Sequence, residues 1–363
     1  MKTFPTLFQK TATGALGYWQ VWTEGPIVRT RWGQVGTTNP QEQAYAAQAK
    51  NVGRANATTP DQQAELEAES MWKKKRRLKY YESQEEAQGE INLKPMLAQE
   101  YNKRRKKIQF PVSIQPKLDG YRCFGYLKGA RVDLLSRGGK TFTAGHIAAD
   151  VGKILAQYPG LILDGELYVH GMSLQNIGSL IKRPREESKA LRYYLYDCTM
   201  GKEETWKERE QMLLQLLQLV GQAQLQYISI VDTFEVGDDV TVHQFHDAFV
   251  ADGYEGAIIR TSDHPYRFGY RSPGLLKLKD FEDKEFPIVD WTTDKDGTIM
   301  WIVRQEDGHH LPVRPMGTEE QRQQMLATAD QFIGRQLTVR FQGRTDKNIP
   351  KNARGLIREE WDL

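Results

Sequence analysis

The sequence predicts an α+β fold built from three successive regions. Within residues 1–90, two strand-like runs precede one long helical pattern. Residues 91–280 contain short apolar strands separated by two amphipathic helices, and residues 281–363 contain short strands around a single helix. We therefore expect domains at 1–90, 91–280 and 281–363, since 363 residues exceed one typical domain.

The composition is that of a globular protein with a small net charge. Hydrophobic residues make up 39% of the chain and aromatic residues 10%, which is enough to form cores. The net charge of +3 does not identify a partner. Two basic runs, at 73–77 and 103–107, are nevertheless suited to neutralising backbone phosphates.

The cysteines and the apolar runs bear on the cellular compartment of the protein. Cys123 and Cys198 are the only cysteines and form no CxxC spacing, so we expect no structural zinc site. No apolar run approaches the length of a membrane span, and residues 1–5 lack a signal-peptide core. We expect a cytoplasmic protein with no membrane partner.

The first region is predicted to be a small α/β module. Its runs at 17–22 and 27–32 are separated by Glu-Gly-Pro, a hairpin signal, and Thr59 before Pro60 suits the start of a helix. This arrangement resembles the WGR domain, a small DNA-binding module, although Gln34 replaces the arginine that names that family.

The WGR resemblance suggests three DNA contacts, Trp32, Arg29 and Arg31, which are suited to an exposed DNA end or break. The alternative is that Trp19, Trp22 and Trp32 are core residues of a small sheet, which is favoured for Trp19 and Trp22. The basic helix tail at 71–81 also has two explanations, a duplex contact or a favourable interaction with the helix dipole. The Gln- and Glu-rich stretch 83–89 is predicted to be a linker.

Lys117 is the predicted nucleophile, in the pattern Lys-x-Asp-Gly-x-Arg that ends at Arg122. A lysine amine with an ordinary pKa of about 10.4 is uncharged in only about one molecule in two thousand at neutral pH, so a nucleophilic lysine needs a special environment. The pattern resembles the nucleotidyl-transfer motif of ATP-dependent DNA ligases, whose superfamily includes RNA ligases and mRNA capping enzymes. An exposed Asp-Gly turn with flanking cations is the alternative.

Two acids, Asp164 and Glu166, follow in an apolar strand at 161–169. In a strand their side chains share one face, because side chains alternate with a period of two. Carboxylates in an apolar strand are costly unless they bind a cation or hydrogen-bond donors. This favours a functional role for the pair over a structural ion pair.

Further motifs follow in the order of the ligase family over about 165 residues. They comprise Ser136-Arg137, Asp164-Gly165-Glu166, Tyr196-Asp197, Glu255-Gly256-x-x-x-Arg260 and Lys277-x-Lys279. The order makes a chance assembly remote. The resemblance implies an adenylation domain with antiparallel sheets and flanking helices.

The resemblance also implies a role for each matched residue. The nucleotide-binding set is Lys117, Arg122, Glu166, Tyr196, Lys277 and Lys279, with Asp164 and Tyr194 as further candidates. Tyr194 and Tyr196 are alternatives for stacking on adenine. Arg137 is expected to engage the 5′-phosphate end of the DNA, and Glu255 and Glu166 are expected to bind Mg²⁺.

The last region is predicted to be an OB-fold, because four strand patterns, 286–291, 299–304, 309–314 and 336–342, surround one helix at 318–333. Thr318 suits its N-cap and Gly334 its C-cap. Arg354 and Arg358, in the tail, resemble the family's final basic motif, which orients the pyrophosphate of ATP.

The sequence therefore predicts a monomeric DNA ligase that uses ATP and Mg²⁺ to seal nicked or broken duplex DNA in repair or replication. ATP is favoured over NAD because NAD-dependent ligases carry a four-cysteine zinc module. Two alternatives stay open, an RNA ligase or capping-type nucleotidyltransferase, and a non-catalytic DNA-end-binding protein. The preference among nicks, cohesive ends and blunt ends stays open too.

Overall fold

A computed structural model describes residues 1–11, 14–78, 80–89, 93–222, 225–294, 296–345 and 347–356. These residues divide into two compact units. The first comprises residues 1–245 and 258–277, and the second comprises residues 246–257 and 278–363. No helix in the described ranges is long and apolar enough to cross a membrane.

The N-terminal region is a five-stranded antiparallel sheet with one long helix packed on it. The strands are β1 (Lys2–Thr3), β2 (Leu7–Lys10), β3 (Leu16–Glu24), β4 (Ile27–Gln34) and β5 (Gln41–Ala46), and the helix is α1 (Pro60–Arg77). Thr59 caps α1 in a capping box with Gln62, which confirms the predicted start. Trp19 is 5% exposed, so the core interpretation of that tryptophan is confirmed. For Trp22 it is wrong, because this residue alternates with the buried positions of β3 and its indole nitrogen donates to Glu24 on the exposed face.

The expected linker at 83–89 is wrong, because most of it forms a short helix, α2 (Gln84–Gly89). The hydroxyl of Ser83 accepts hydrogen bonds from the backbone nitrogens of Glu85 and Glu86, at 3.1 and 3.3 Å. Ala87 is fully buried. The polar composition of residues 83–89 did not indicate that the small side chain of Ala87 would be buried.

Residues 93–278 form two five-stranded sheets with helices around them. The elements are β6 (Leu97–Glu100), α3 (Tyr101–Arg104), β7 (Val112–Lys117), β8 (Tyr121–Lys128), β9 (Arg131–Ser136), α4 (Gly145–Gln157), β10 (Ile162–Tyr168), α5 (Leu174–Lys182), β11 (Arg192–Thr199), α6 (Trp206–Gln222), β12 (Ile228–Ile230), β13 (Phe234–Val236), α7 (Asp239–Ala251), β14 (Gly256–Arg260) and β15 (Arg271–Leu278).

The strand order is β12-β11-β10-β8-β9 in one of these sheets and β13-β7-β14-β15-β6 in the other. The expectation of antiparallel sheets holds for the pairs β10–β11, β10–β8, β8–β9 and β13–β7. The pairs β11–β12 and β15–β6 are parallel, so both sheets are mixed. This arrangement brings strands far apart in sequence beside one another around Lys117.

The C-terminal residues form a closed barrel in the order β16-β17-β18-β20-β19. Its elements are β16 (Glu282–Thr293), β17 (Ile299–Arg304), β18 (His310–Pro315), α8 (Glu319–Ala327), β19 (Gln336–Phe341) and β20 (Arg354–Gly355). Side chains such as Phe286, Trp301 and Phe341 are at most 1% exposed and fill the interior.

The predicted helix at 318–333 has the expected start but ends early. Thr318 caps it in a capping box, yet α8 ends at Ala327 and a 3₁₀ turn continues to Phe332. The indole nitrogen of Trp291 donates to Asp330 at 2.8 Å, and the ring of Phe332 lies 5.3 Å from that of Trp301. These contacts with the barrel favour the tighter turn.

Candidate active site

Lys117 is the last residue of β7 and is followed by a tight turn into β8. The turn requires glycine at position 120, because a Cβ there would lie 2.5 Å from the carbonyl oxygen of Leu167 and 2.8 Å from Cγ of Glu166. The turn is therefore packed directly on β10. Lys117 is half-buried, and its charge interacts with the Glu166 carboxyl.

Glu166 lies opposite Arg122 of β8 and Tyr194 of β11 in the sheet. The hydroxyl of Tyr196 donates to its Oε2 at 3.2 Å. Burial raises the pKa of Glu166 to about 7, although the charges of Lys117 and Arg122 oppose the shift. A carboxyl that titrates near neutral pH beside a lysine is a typical feature of a functional site.

A β-bulge in β11 determines the position of Tyr196. Asp164 of β10 faces Asp197, but the next residue, Gly165, faces Leu195. Tyr196 is consequently the extra residue of the pair. Bulges occur beside active sites, where they redirect a side chain.

Tyr194 and Tyr196 are both half-buried but have different neighbours. Tyr196 donates to Glu166, and its ring lies 5.8 Å from the guanidinium carbon of Arg122. The ring of Tyr194 meets that of Tyr168 edge-on, with the centroids 5.6 Å apart. Tyr196 therefore contacts two predicted site residues, Glu166 and Arg122.

Arg122 and Asp164 form a two-point ion pair. Nε and Nη2 of Arg122 donate to the two carboxylate oxygens at 2.9 and 2.5 Å, and Nη1 donates to the carbonyl of Met96 at 2.8 Å. Tyr266 donates to the same carboxylate at 2.6 Å. Burial opposes the charge of Arg122, but Asp164 raises its pKa well above the ordinary value. Asp164 thus orients Arg122 beside Glu166.

A buried ion network, which sequence reasoning missed, joins β7 to β11. Asp197 accepts from Nε of Arg209 at 2.7 Å and from Nη1 of Arg260 at 2.5 Å. Nε of Arg260 donates to Gln115 of β7 at 2.8 Å. None of these four side chains is more than 3% exposed. Burial alone would raise the pKa of Asp197, but Arg260 and Arg209 hold it below its ordinary value.

One sequence signal for this network was available in α6. Trp206, Leu213 and Leu216 are buried, and Arg209 lies three residues after the first of these and four before the second. That spacing places an arginine on the apolar face of the helix. A buried arginine requires an acidic partner.

The two lysines of the Lys-x-Lys motif have different acidic partners. Lys277 lies beside Glu100 in the parallel register of β15 and β6, with Nζ 2.8 Å from the carboxylate. Sequence reasoning missed Glu100. Lys279, just after β15, is paired with Glu255 and also donates to Gln342 at 3.3 Å.

Glu255 and Lys279 belong to the second compact unit, whereas Lys117, Glu166 and Lys277 belong to the first. Gly256 allows the close approach behind Glu255, because it has φ of +142° and a Cβ there would lie 2.3 Å from the carbonyl oxygen of Leu278. The structure thus forms two local groups of predicted site residues.

The predicted metal-binding acids, Glu166 and Glu255, belong to different compact units. Within the described ranges, no group of three or more His, Cys, Asp or Glu side chains is placed to hold an ion. Glu166 and Glu255 are hard oxygen donors, and Mg²⁺ is commonly held by one or two carboxylates together with substrate phosphates.

Arg137 is exposed at the tip of the turn after β9. The turn is closed by hydrogen bonds from the backbone nitrogen of Ser136 to the carbonyl of Lys140, at 2.7 Å, and from Gly139 to Ser136, at 2.8 Å. Arg137 therefore projects from a well-defined loop, as a phosphate contact requires.

The three predicted DNA contacts of the N-terminal sheet do not form one group. Arg29 is paired with Glu24 at 2.8 Å, and Arg31 with Glu42 at 2.5 Å. Trp32 lies on the same face of β4 as the buried Val28 and Thr30, packs against the core and lines a pocket of about 460 Å³. The arginines and the tryptophan thus belong to opposite faces of the strand.

Of the two candidate arginines of the tail, the structure describes Arg354. Arg354 is exposed in β20, where it lies opposite Arg314 of β18 and Arg340 of β19. Arg358 lies outside the described residues.

Known proteins resemble this chain in sequence and fold. A family model described as an ATP dependent DNA ligase domain matches residues 95–279. A DNA ligase of African swine fever virus, from a Tick/Malawi isolate, is 30% identical over 356 residues, covering 88% of this chain and 80% of that protein. The DNA ligase of a Pig/Kenya isolate is 29% identical over 355 residues, with the same coverage.

A solved structure from a structure-function analysis of Lig E DNA ligases has a similar fold. Its TM-score is 0.60 at 20% identity, and the match covers 73% of this chain and 99% of that one. At this identity the likeness concerns the fold.

Proposed function

The chain belongs to the ATP-dependent DNA ligase family, and from that premise we propose that it seals 5′-phosphate/3′-hydroxyl breaks in duplex DNA through a lysyl-AMP formed on Lys117. The observation that carries this proposal is the position of Lys117, at the end of β7, where its charge acts on the carboxyl of Glu166 in β10. A family motif match cannot supply that proximity by itself.

In the first step, the deprotonated amine of Lys117 attacks the α-phosphorus of ATP. A nitrogen–phosphorus bond forms, the bond to the bridging oxygen breaks, and pyrophosphate leaves. The nitrogen is positively charged once this bond has formed, and it releases one proton to give the neutral phosphoramide nitrogen. We assign Lys277 and Lys279 to the α-phosphate by resemblance to the family's Lys-x-Lys motif, since cations there stabilise the developing negative charge.

In the next two steps the AMP group moves to the DNA and then leaves. A 5′-phosphate oxygen attacks the same phosphorus, which breaks the bond to Lys117 and returns a proton to its amine. The 3′-hydroxyl then attacks the 5′-phosphorus, loses its proton and displaces AMP. Arg137 is suited to holding the 5′-phosphate end, since its guanidinium is exposed on a fixed turn.

We infer the role of each nucleotide contact from its neighbours. Tyr196 is favoured for stacking on adenine, because the bulge directs it to Glu166. Glu166 is favoured as the acceptor for the ribose hydroxyls. When bound with the nucleotide, Mg²⁺ supplies charge neutralisation at the phosphates, and Glu166 and Glu255 are the residues that would hold it.

The finer domain assignments are proposals that rest on element order. Domains at 1–90, 91–280 and 281–363 agree with the succession of sheet, paired sheets and barrel. A closed five-stranded barrel with one helix between β18 and β19 supports an OB-fold. A hairpin-containing sheet with one long helix supports the WGR-like assignment. A monomer in the cytoplasm that serves repair or replication stays a prediction.

The proposal is tested by offering the purified chain ATP, GTP or NAD together with a nicked DNA duplex, a nicked RNA–DNA hybrid or single-stranded RNA. We expect sealing of the nicked DNA with ATP. Sealing of RNA alone, or sealing with GTP in place of ATP, would contradict the assignment.

A further inference from the structure

A basic cleft lies where the N-terminal module meets the adenylation domain, and no predicted function has been assigned to it. Its volume is about 280 Å³. It is lined by residues of both regions: Gln9, Lys10, Lys75, Leu78, Tyr80, Tyr81, Ala87, Leu93, Lys94, Leu135, Arg137, Gly138 and Gly139. All of them belong to the first compact unit.

Four cationic side chains from four different segments line this cleft. Lys10 ends β2, Lys75 is in the last turn of α1, Lys94 precedes β6, and Arg137 is at the tip of the turn after β9. No aspartate or glutamate is among the described residues that line it. Convergence of cations from distant segments, without an acid in the lining, produces a positive potential that favours an anion.

Of the four cations, Lys75 is the one whose position is least explained by a favourable interaction with the dipole at the end of α1. Its neighbour Lys74 is exposed to solvent, whereas Lys75 is half-buried and turned into the cleft. Nζ of Lys75 lies 4.5 Å from the ring centroid of Tyr80 and 5.1 Å from that of Trp19, and it donates to the Tyr80 hydroxyl at 3.3 Å. The two rings fix the ammonium group in position.

The electrostatic environment of Lys75 favours the binding of an anion. Burial lowers its pKa below the ordinary value, and the charge of Lys74 lowers it further. The charge of Lys94 acts on Tyr80 from the other side of the cleft, where it opposes the effect of burial on the tyrosine pKa. A bound anion would offset the destabilisation of the charged form of Lys75.

We propose that this cleft binds a backbone phosphate of the DNA strand next to the break, with Lys75 of the N-terminal module and Arg137 of the adenylation domain acting on the same strand segment. The inference rests on the proposed function, because Arg137 is there assigned to the 5′-phosphate end. It adds that the N-terminal module completes the strand-binding surface of the catalytic domain instead of binding DNA independently.

The test compares the full-length chain with Lys75→Gln, Arg137→Gln and the double variant. Affinity is measured by fluorescence anisotropy on a nicked duplex whose 3′ end lacks the hydroxyl, so that sealing cannot occur. Each single change should weaken binding about five- to tenfold and reduce the slope of log K against log salt by about 0.9, the effect of one phosphate contact. The double variant should lose less than the product of the two losses.

Lys74→Gln is the matched control, because it removes the same charge from the adjacent, exposed position. Its affinity should stay within about twofold of the parent. Lys75→Arg keeps the cation and should keep the salt slope. If Lys75→Gln does not fold, Lys94→Gln decides the question, since Lys94 is an exposed cation of the same cleft to which the proposed function assigns no role.

Three results would overturn the inference. One is equal loss with Lys74→Gln and Lys75→Gln, which indicates a general charge effect. Another is strict multiplicativity in the double variant, which indicates separate contacts. The third is loss, in Lys75→Gln, of stabilisation by inorganic phosphate with unchanged DNA affinity, which indicates a free-anion site.

Failure of this inference is distinguishable from failure of the proposed function. Self-adenylation of the unaltered chain with labelled ATP requires no DNA. If the unaltered chain is not labelled, the proposed function is wrong. If it is labelled but Lys75→Gln binds nicked DNA normally, the cleft assignment alone is wrong.

Discussion

The charge of Glu166 is determined by burial on one side and by the cations Lys117 and Arg122 on the other. With a pKa of about 7, the carboxyl is mostly protonated at pH 6 and mostly ionised at pH 8. If only the ionised carboxylate of Glu166 accepts hydrogen bonds from the ribose hydroxyls, the affinity for ATP rises with pH. The ionised fraction changes about tenfold across that range.

We therefore expect the Kd for a non-reactive ATP analogue with Mg²⁺ to fall about tenfold from pH 6 to pH 8, as measured by calorimetry. Glu166→Gln serves as the control, because it retains the shape of the side chain and does not titrate. Its Kd should vary much less over the same range. A parallel pH dependence in both proteins would refute the role of this carboxyl.

Tyr196 and Tyr194 give a second prediction for single residues. Stacking on a base contributes about 1–3 kcal/mol, so Tyr196→Leu should weaken ATP binding about tenfold. Tyr196→Phe keeps the ring and should stay within about threefold, while Tyr194→Leu should have little effect. Titration of the same analogue measures all three. A larger loss at Tyr194 would reverse the assignment.

Among the secondary-structure elements, the ion network centred on Asp197 holds β7 against β11 and so fixes Lys117 relative to Tyr196. Asp197→Asn would leave the guanidinium groups of Arg209 and Arg260 buried with less compensation. Removing one partner of a buried ion pair costs about 3–5 kcal/mol.

Denaturant unfolding should show a loss of that order for Asp197→Asn. Glu203→Gln is the comparison, because it breaks an exposed pair with Arg267, for which about 1 kcal/mol or less is expected. Equal stability of the two variants would show that the network does not stabilise the fold.

The parts of the fold that were predictable from sequence depend on local patterns. Thr59 and Thr318 were recognisable as helix starts because capping involves residues three positions apart. Of the strands around Lys117, β10 was recognisable as an apolar run, and β15 because polar and apolar side chains alternate from Leu276 to Lys279. The same reasoning missed α2, since burial of Ala87 depends on packing against a distant strand.

The parts of the site that were not predictable depend on register between distant strands. Arg209 and Arg260 lie 12 and 63 residues from Asp197, and Lys277 meets Glu100 only through the parallel pairing of β15 with β6. The choice between Tyr194 and Tyr196 depended on a bulge that no local pattern revealed. The family motifs identify the candidate site residues, but only the folded structure shows which side chains they contact.

In the whole molecule, the N-terminal module and the adenylation domain share one compact unit. We expect deletion of residues 1–90 to weaken affinity for nicked DNA and to flatten its salt dependence, because the deletion removes Lys10 and Lys75 from the cleft. Self-adenylation should persist, since Lys117 and Glu166 lie outside the deleted segment. Loss of self-adenylation would place the module in the catalytic unit.

The same packing has a cost for the truncated chain. Leu135, which is 1% exposed, lines the cleft together with residues of the module. Its exposure should lower the melting temperature, so the truncated protein is compared below its own melting transition.

The central claim, that the amine of Lys117 carries the adenylyl group, is tested most directly by covalent labelling with ATP radiolabelled at the α-phosphate. The unaltered protein should retain label after denaturing electrophoresis, and the label should be acid-labile, as a phosphoramide is. Lys182→Ala, a change at an exposed lysine, should be labelled normally, whereas Lys117→Ala should not be labelled at all. Label on Lys117→Ala would contradict the account.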